Sequence, residues 1–295
     1  MNESDKLTEV YQSAKEIPFD FTDKFIFFSD CHRGDNSWAD DFAHNQNMLF
    51  YALEYYLKEG FTYIEVGDGD ELWENSDFSQ IRRAHSHIFW LLQQFYQAGR
   101  LHLMWGNHDL ERADPARVRD TLYTYHDERS GNTLPLFDGI QLHEGIILRN
   151  TSNDHSLFLA HGHQVDPINY KWWKVNRFIV RYYWRNVQFL GAHDPTSPAE
   201  NELKRNKVEQ RLVDWAQSHR QITIAGHTHR PRFPKKDEPP YFNIGSCVHP
   251  RCITGIEVQN GEIMLVKWSI EPDENAHLYV VREVLDHESI QAYYR

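Results

Sequence analysis

Between Lys24 and Arg119, short apolar runs alternate with helix-patterned stretches, and each apolar run ends in a polar turn. "KFIFFS" precedes a helical pattern near Phe42 to Lys58, "FTYIEV" precedes another near Phe78 to Gln97, and "LHLMW" closes the series. This is the pattern of βαβ units, and it commits the chain to a sheet covered by helices. The turns "SDCHRGDN", "GDGDELWEN" and "GNHDLER" then stand at the carboxyl ends of three strands, where open α/β sheets bind ligands.

The strand pattern resumes further on. "IQLHEGIILRNTSNDHSLFLAHGH" reads as two strands about an Asn/Ser/Asp turn, with a polar end at His161 to His163. "QITIAGHTHRP" repeats the strand-then-polar-end pattern, and "CITGIEVQNGEIMLVKW" is a hairpin on Asn260-Gly261. From about Asp166 to Arg220 the text turns helical, so residues 166–220 are expected as a helical cap insertion over the strand ends. With 295 residues, a single domain spanning 1–295 has ample chain for a sizeable core.

The net charge of −12 argues against a duplex nucleic-acid binder, which needs a broad basic face. Eighteen histidines supply the commonest metal ligand. Cys31, Cys247 and Cys252 follow no CxxC spacing and give no disulfide framework, so a reducing compartment is expected. "MNESDKLTEV" lacks the features of a signal peptide, and no run approaches the roughly 18 apolar residues of a membrane span, so the expected location is cytoplasmic.

Five pieces carry the chemistry: Asp30-x-His32, Gly67-Asp68, Gly106-Asn107-His108-Asp109, His161-Gly162-His163 and Gly226-His227-Thr228-His229. Each alone is the stuff of ordinary turns. Together, at strand ends, they offer the mixture of carboxylate, amide and imidazole that a pair of divalent cations requires, with one anionic ligand between the two. Asp68 suits that bridging place. Glycines beside Asp68, Asn107, His161 and His227 let the chain turn sharply, so that side chains aim at a shared centre.

On these ordered motifs the sequence resembles the calcineurin-like metallophosphoesterase superfamily, over about Lys24 to Lys267. The resemblance implies an α/β layered sandwich of mixed β-sheets flanked by helices, with the helical cap inserted. It implies Asp30, His32 and His229 on one metal, Asn107, His161 and His227 on the other, and Asp68 on both. It also implies His108 beside the leaving group, oriented by Asp109. Within the superfamily the sequence is most similar to the UDP-2,3-diacylglucosamine hydrolase group, through Gly67, Asp68, Glu71 and Trp73, the HGH piece, the insertion and GHTH-x-P. "SDCHRGDNSWADDF" and Ser246 in "NIGSC" depart from that group's usual text.

The expected cofactors are two divalent ions, manganese first, with iron or zinc also compatible with these ligands. Such ions make water acidic and offset phosphoryl charge, while His108 supplies a proton to the departing oxygen. The expected reaction is hydrolysis of a phosphodiester or pyrophosphate bond in a nucleotide- or lipid-linked small molecule. The alternatives are a phosphomonoesterase of the protein-phosphatase kind and a non-catalytic scaffold of the same fold.

Arg33, His163 and Arg230 are candidate substrate contacts, set against an ion pair for the arginines and a turn cap for His163. Among the other acids of the second turn, Glu65 reads as an edge or ion-pairing residue, and Asp70 and Glu71 as groups behind the ligands. The stretch "NYKWWKVNRFIVRYYWRNVQFLG" holds five bases and no acid, and Lys171, Lys174, Arg177, Arg181 and Arg185 fall within an arc of about 120°. This basic helix 170–190 is open to three readings: a solvated stripe, a cationic substrate cap, or a peripheral membrane or lipid contact. A second helix behind a Ser197 N-cap would complete a lid. No protein partner is required.

Overall fold

The protein is described here from a computed structural model covering residues 3–153, 155–167 and 202–294. The basic helix 170–190, the Ser197 cap and most of the expected cap insertion lie outside the described residues. In chain order the elements are α1 (Glu3–Ser13), β1 (Lys15–Phe19), β2 (Phe25–Phe28), α2 (Gln46–Lys58), β3 (Thr62–Val66), α3 (Phe78–Ala84) and α4 (Ser86–Gln97). Then come β4 (Leu101–Met104), α5 (Pro115–Leu122), β5 (Thr124–Asp127), β6 (Asn132–Pro135), β7 (Leu142–His143), β8 (Gly145–Asn150) and β9 (Ser156–Ala160). After these follow α6 (Glu202–His219), β10 (Ile222–Ala225), β11 (Tyr241–Asn243), β12 (Cys252–Gln259), β13 (Glu262–Pro272) and β14 (Leu278–Ser289).

Two mixed sheets result. A seven-stranded sheet runs β14-β13-β12-β2-β3-β4-β7, parallel from β2 to β7 and antiparallel from β2 outward to β14. A five-stranded sheet runs β1-β8-β9-β10-β11, with β8 and β9 as its antiparallel pair. The continuous apolar run of β2 is explained by having a core on each side. Phe25 and Phe27 point into the core between the sheets, and Ile26 and Phe28 into the core under α2 and α4, as a period of two requires. On the far side, α1 and α6 cover the five-stranded sheet through Leu7, Val10, Leu212 and Trp215. The architecture is the mixed α/β sandwich flanked by helices that the sequence predicts.

Three details differ from the expected elements. The helix expected near Phe42 begins instead with a 3₁₀ turn, Asp41–His44, capped by Asp40, and α2 starts only at Gln46. The helix expected over Phe78 to Gln97 is broken at His85, whose buried ring lies 2.8 Å from Asp40 Oδ2. That long-range pair holds the ring inside and turns the backbone out of the helix. Finally, α6, expected as half of a lid, packs Val208, Leu212, Trp215 and Ala216 into the core. Among the described residues no helix is long and apolar enough to cross a membrane.

Candidate metal centre

The strand ends converge through unusual backbone. Asp30, His32, Asp68, His227 and His229 all have φ between 48° and 67°, a left-handed conformation that costs a non-glycine residue free energy. Such strain persists only where surrounding structure fixes it. Here it is fixed by amide bridges between turns: Asp30 N–H donates to Gly67 O at 3.2 Å and His32 N–H to Asp68 O at 2.9 Å, while His227 N–H donates to Asp30 Oδ2 at 2.9 Å. Close packing does the rest. A Cβ on Gly67 would meet the His161 ring at 2.7 Å, and one on Gly106 would meet Asp68 Oδ1 at 2.2 Å.

One group gathers Asp30, His32 and His229 and another Asp68, His161 and His227, with the ligating atoms of each group within 4.8 Å of one another. His32 Nδ1 lies 2.9 Å from Glu71 Oε2, which leaves Nε2 facing His229 Nε2 at 3.3 Å and Asp30 Oδ1 at 3.7 Å. Asp68 Oδ2 stands between the groups, 3.1 Å from His161 Nε2 and 3.8 Å from His32 Nε2.

These residues fit divalent cations. His161 Nδ1 donates to Val66 O at 2.9 Å, so in the neutral ring Nε2 turns a lone pair towards the carboxylate of Asp68. Two lone pairs at that distance repel unless positive charge lies close by. Burial alone would lower the His161 pKa, yet Asp68 and Asp30 push it up to about 9. Burial likewise favours neutral Asp30 and Asp68, but His229 and His161 hold Asp30 well below the usual carboxylate range, and His161 and His108 do so for Asp68. Asn107 is buried and its Oδ1 has no hydrogen-bond partner, as befits an amide oxygen reserved for a cation.

His108 sits at the rim. Its backbone N–H donates to Asp68 Oδ1 at 2.8 Å, and its ring stacks on Trp73 with centroids 4.2 Å apart and planes 21° from parallel. The carboxylate beside its Nδ1 is Glu71, at 2.7 Å. Asp109, expected to orient His108, is engaged elsewhere: its oxygens accept from Gly106 N–H at 2.7 Å and Gly69 N–H at 3.0 Å, tying two turns together. Burial, with Asp68 nearby, raises the Asp109 pKa to about 6.

A family model described as calcineurin-like phosphoesterase matches residues 23–231. The chain belongs to this family. Its span runs from the strand before Asp30 through His229, so every ligand candidate lies inside it. Vps29 of Chaetomium thermophilum is a solved structure with 12% identity, covering 92% of this chain and 99% of its own, at a TM-score of 0.40. Among curated proteins there is no match.

Within this calcineurin-like phosphoesterase the remaining candidates separate. Arg33 is no substrate contact: it is buried, its guanidinium donates to both Glu65 oxygens at 2.6 and 2.8 Å, and its Nε donates to Asp70 Oδ1 at 2.7 Å. Asp70 also accepts from Arg112. The geometry selects the ion-pair reading, because a guanidinium so occupied has no face left for a phosphate. Arg230 is exposed immediately after His229. His163 is buried beside His161 and His227, with ring centroids 5.5 and 6.5 Å away, and burial together with those two rings holds its pKa well below the usual range. Cys31 is buried, and a hydrogen bond that its own thiol donates to Cys247, together with burial, pushes that thiol well up, so it is no ready nucleophile.

Sequence reasoning missed two contacts: Trp73 stacked on His108, and Asp166, whose Oδ2 lies 3.3 Å from His227 Nε2. Trp73 stood in the motif text without a role. For Asp166 the only signal was its place three residues after His163.

Proposed function

We propose that this protein is a dinuclear metal-dependent hydrolase of a phosphodiester or pyrophosphate bond in a nucleotide- or lipid-linked small molecule. The observation that carries this reading is Asp68, a single carboxylate oxygen within 3.1 Å of His161 and 3.8 Å of His32. Asp30, His32, Asp68 and His229 would hold one ion, and Asp68, Asn107, His161 and His227 the other; manganese is the proposed native metal. When bound, the ions supply Lewis acidity towards the phosphoryl oxygens and lower the pKa of water towards about 7.

The chain's own residues do the rest. Glu71 keeps a proton on His32 Nδ1 so that Nε2 faces inward. Glu71 and Trp73 fix the His108 ring, and its outer nitrogen donates to the departing oxygen. Glu71 and Trp73 also belong to the text shared with UDP-2,3-diacylglucosamine hydrolases, which supports a substrate of that general kind. Arg230 and His163 are proposed to contact its phosphate side.

Manganese-loaded protein should hydrolyse bis-p-nitrophenyl phosphate in preference to p-nitrophenyl phosphate. Preference for the monoester would replace the diesterase reading with a phosphomonoesterase. Less than about one metal per chain with neither ester cleaved would leave a scaffold.

A further inference from the structure

The outermost strand of the seven-stranded sheet is β14, and among the described residues no strand pairs with its outer edge. Natural sheets guard such an edge with Lys, Pro or a bulge, because its outward amides and carbonyls are a template for another strand. The run Leu278–Val284 contains neither Lys nor Pro and pairs regularly with β13, and the bulge comes only after it, at Leu285. Its two charges are already answered within the chain. Arg282 donates to both Glu257 oxygens at 2.7 and 2.5 Å, and Lys267 Nζ lies 2.5 Å from Glu283 Oε2. What the run offers outward is apolar, since Leu278, Tyr279 and Val284 are all exposed.

The run is also self-complementary. In an antiparallel pairing of two identical strands, a two-fold axis normal to the sheet passes through one residue opposed to its own copy. Centring on Arg282 or Glu283 would set like charges directly opposite, which is destabilising. Centring on Val280 would leave Val284 facing Ala276, in the turn before the strand. Val281 is the midpoint of the regular run, and centring there opposes Leu278 to Val284, Tyr279 to Glu283 and Val280 to Arg282. By the period of two, Leu278 and Val284 share one face of the sheet, so these exposed side chains meet each other across the axis. Asp286 and Glu288 fall beyond the bulge, outside the pairing.

We propose that β14 is the interface of a homodimer, in which two copies of this chain join edge to edge through Leu278–Val284, centred on Val281, into one continuous sheet. Backbone hydrogen bonds give the pairing its affinity, and the reciprocal contacts of Leu278 with Val284 fix its register.

Sedimentation velocity of the full chain, over a range of micromolar concentrations, reads the oligomeric state. The wild type should approach twice the chain mass of 35.1 kDa as concentration rises. Leu278→Lys/Val284→Lys sets lysines opposite one another across the axis and should stay monomeric over the same range. Leu278→Lys/Val284→Glu sets opposite charges there and should restore the dimer, although within one chain the two positions are too far apart along the strand to meet. Both positions are exposed, and the urea midpoint of each variant checks that the fold persists. Cross-linking in a Cys252→Ser background is the second measurement. Opposed Cα atoms of an antiparallel pair lie about 4.5–5.5 Å apart, within disulfide reach, so Val281→Cys should cross-link on mild oxidation and Tyr279→Cys should not. A monomer at every concentration overturns the proposal, as does a dimer that survives the two lysines or a Lys/Glu variant that stays monomeric. No cross-link at position 281, or an equal one at 279, also overturns it; if the lysine variant unfolds, cross-linking alone decides.

Discussion

Glu71 Oε2 lies 2.7 Å from Nδ1 of His108, and the same oxygen lies 2.9 Å from Nδ1 of His32. One carboxylate thus holds a candidate metal ligand by a hydrogen bond and stands at ion-pair distance from the candidate proton donor. Burial would favour its neutral form, but His108 and His32 hold its pKa at about 2, so it stays ionised while both rings need it. Glu71→Gln should lower kcat by about 10- to 100-fold with metal content reduced only modestly. His108→Ala should lower kcat by about 10²- to 10⁴-fold with metal content retained. Steady-state kinetics beside elemental analysis separates the two, and a full loss of metal in His108→Ala would make that residue a ligand.

Asp68→Asn tests the bridge. The amide keeps the shape but removes the anion that faces both His161 and His32, so metal content should fall at both positions and activity with it. Retention of one tightly held ion per chain would assign Asp68 to a single position.

Arg33→Met separates structural from substrate roles. The substitution leaves Glu65 with Tyr63 Oη at 2.8 Å and Asp70 with Arg112, but strips both carboxylates of a buried cation. Loss of one partner from a buried pair costs about 3–5 kcal/mol, so the urea midpoint should drop clearly. An unchanged midpoint with a raised KM would restore Arg33 as a phosphate contact.

His102 on β4 gives a pH dependence away from the metal centre. Burial, with His143 and Lys15 adding to it, lowers its pKa from 6.5 to about 4. The unfolded chain therefore takes up the proton first as pH falls, and stability present above about pH 6.5 is lost progressively towards pH 4. The full span corresponds to about 3 kcal/mol. Urea unfolding of wild type and His102→Phe at a series of pH values should show the wild type losing more stability below pH 6.5, and parallel losses would remove His102 as the cause.

Much of the fold was legible because its signals are local. Within "KFIFFS" the four strand residues Phe25–Phe28 are all apolar, which a strand needs when it has a core on both faces, and Asn260-Gly261 meets the positive φ of a tight hairpin with values of 53° and 75°. β14 was missed because it is a largely exposed edge strand, with no buried face to impose an alternation on its sequence.

By itself the sequence determined the βαβ order, the strand-end turns and the residue types gathered there, since apolar period and turn chemistry act over a few residues. Tertiary structure alone decided who pairs with whom. Arg33 meets Glu65 across 32 positions, Glu71 meets His32 across 39, and His85 breaks a helix by reaching Asp40 across 45. The first two pairs are set by which strand ends the parallel register brings side by side, and the third by the packing of the 3₁₀ turn against the α3–α4 junction; both depend on the whole buried core rather than on any one turn.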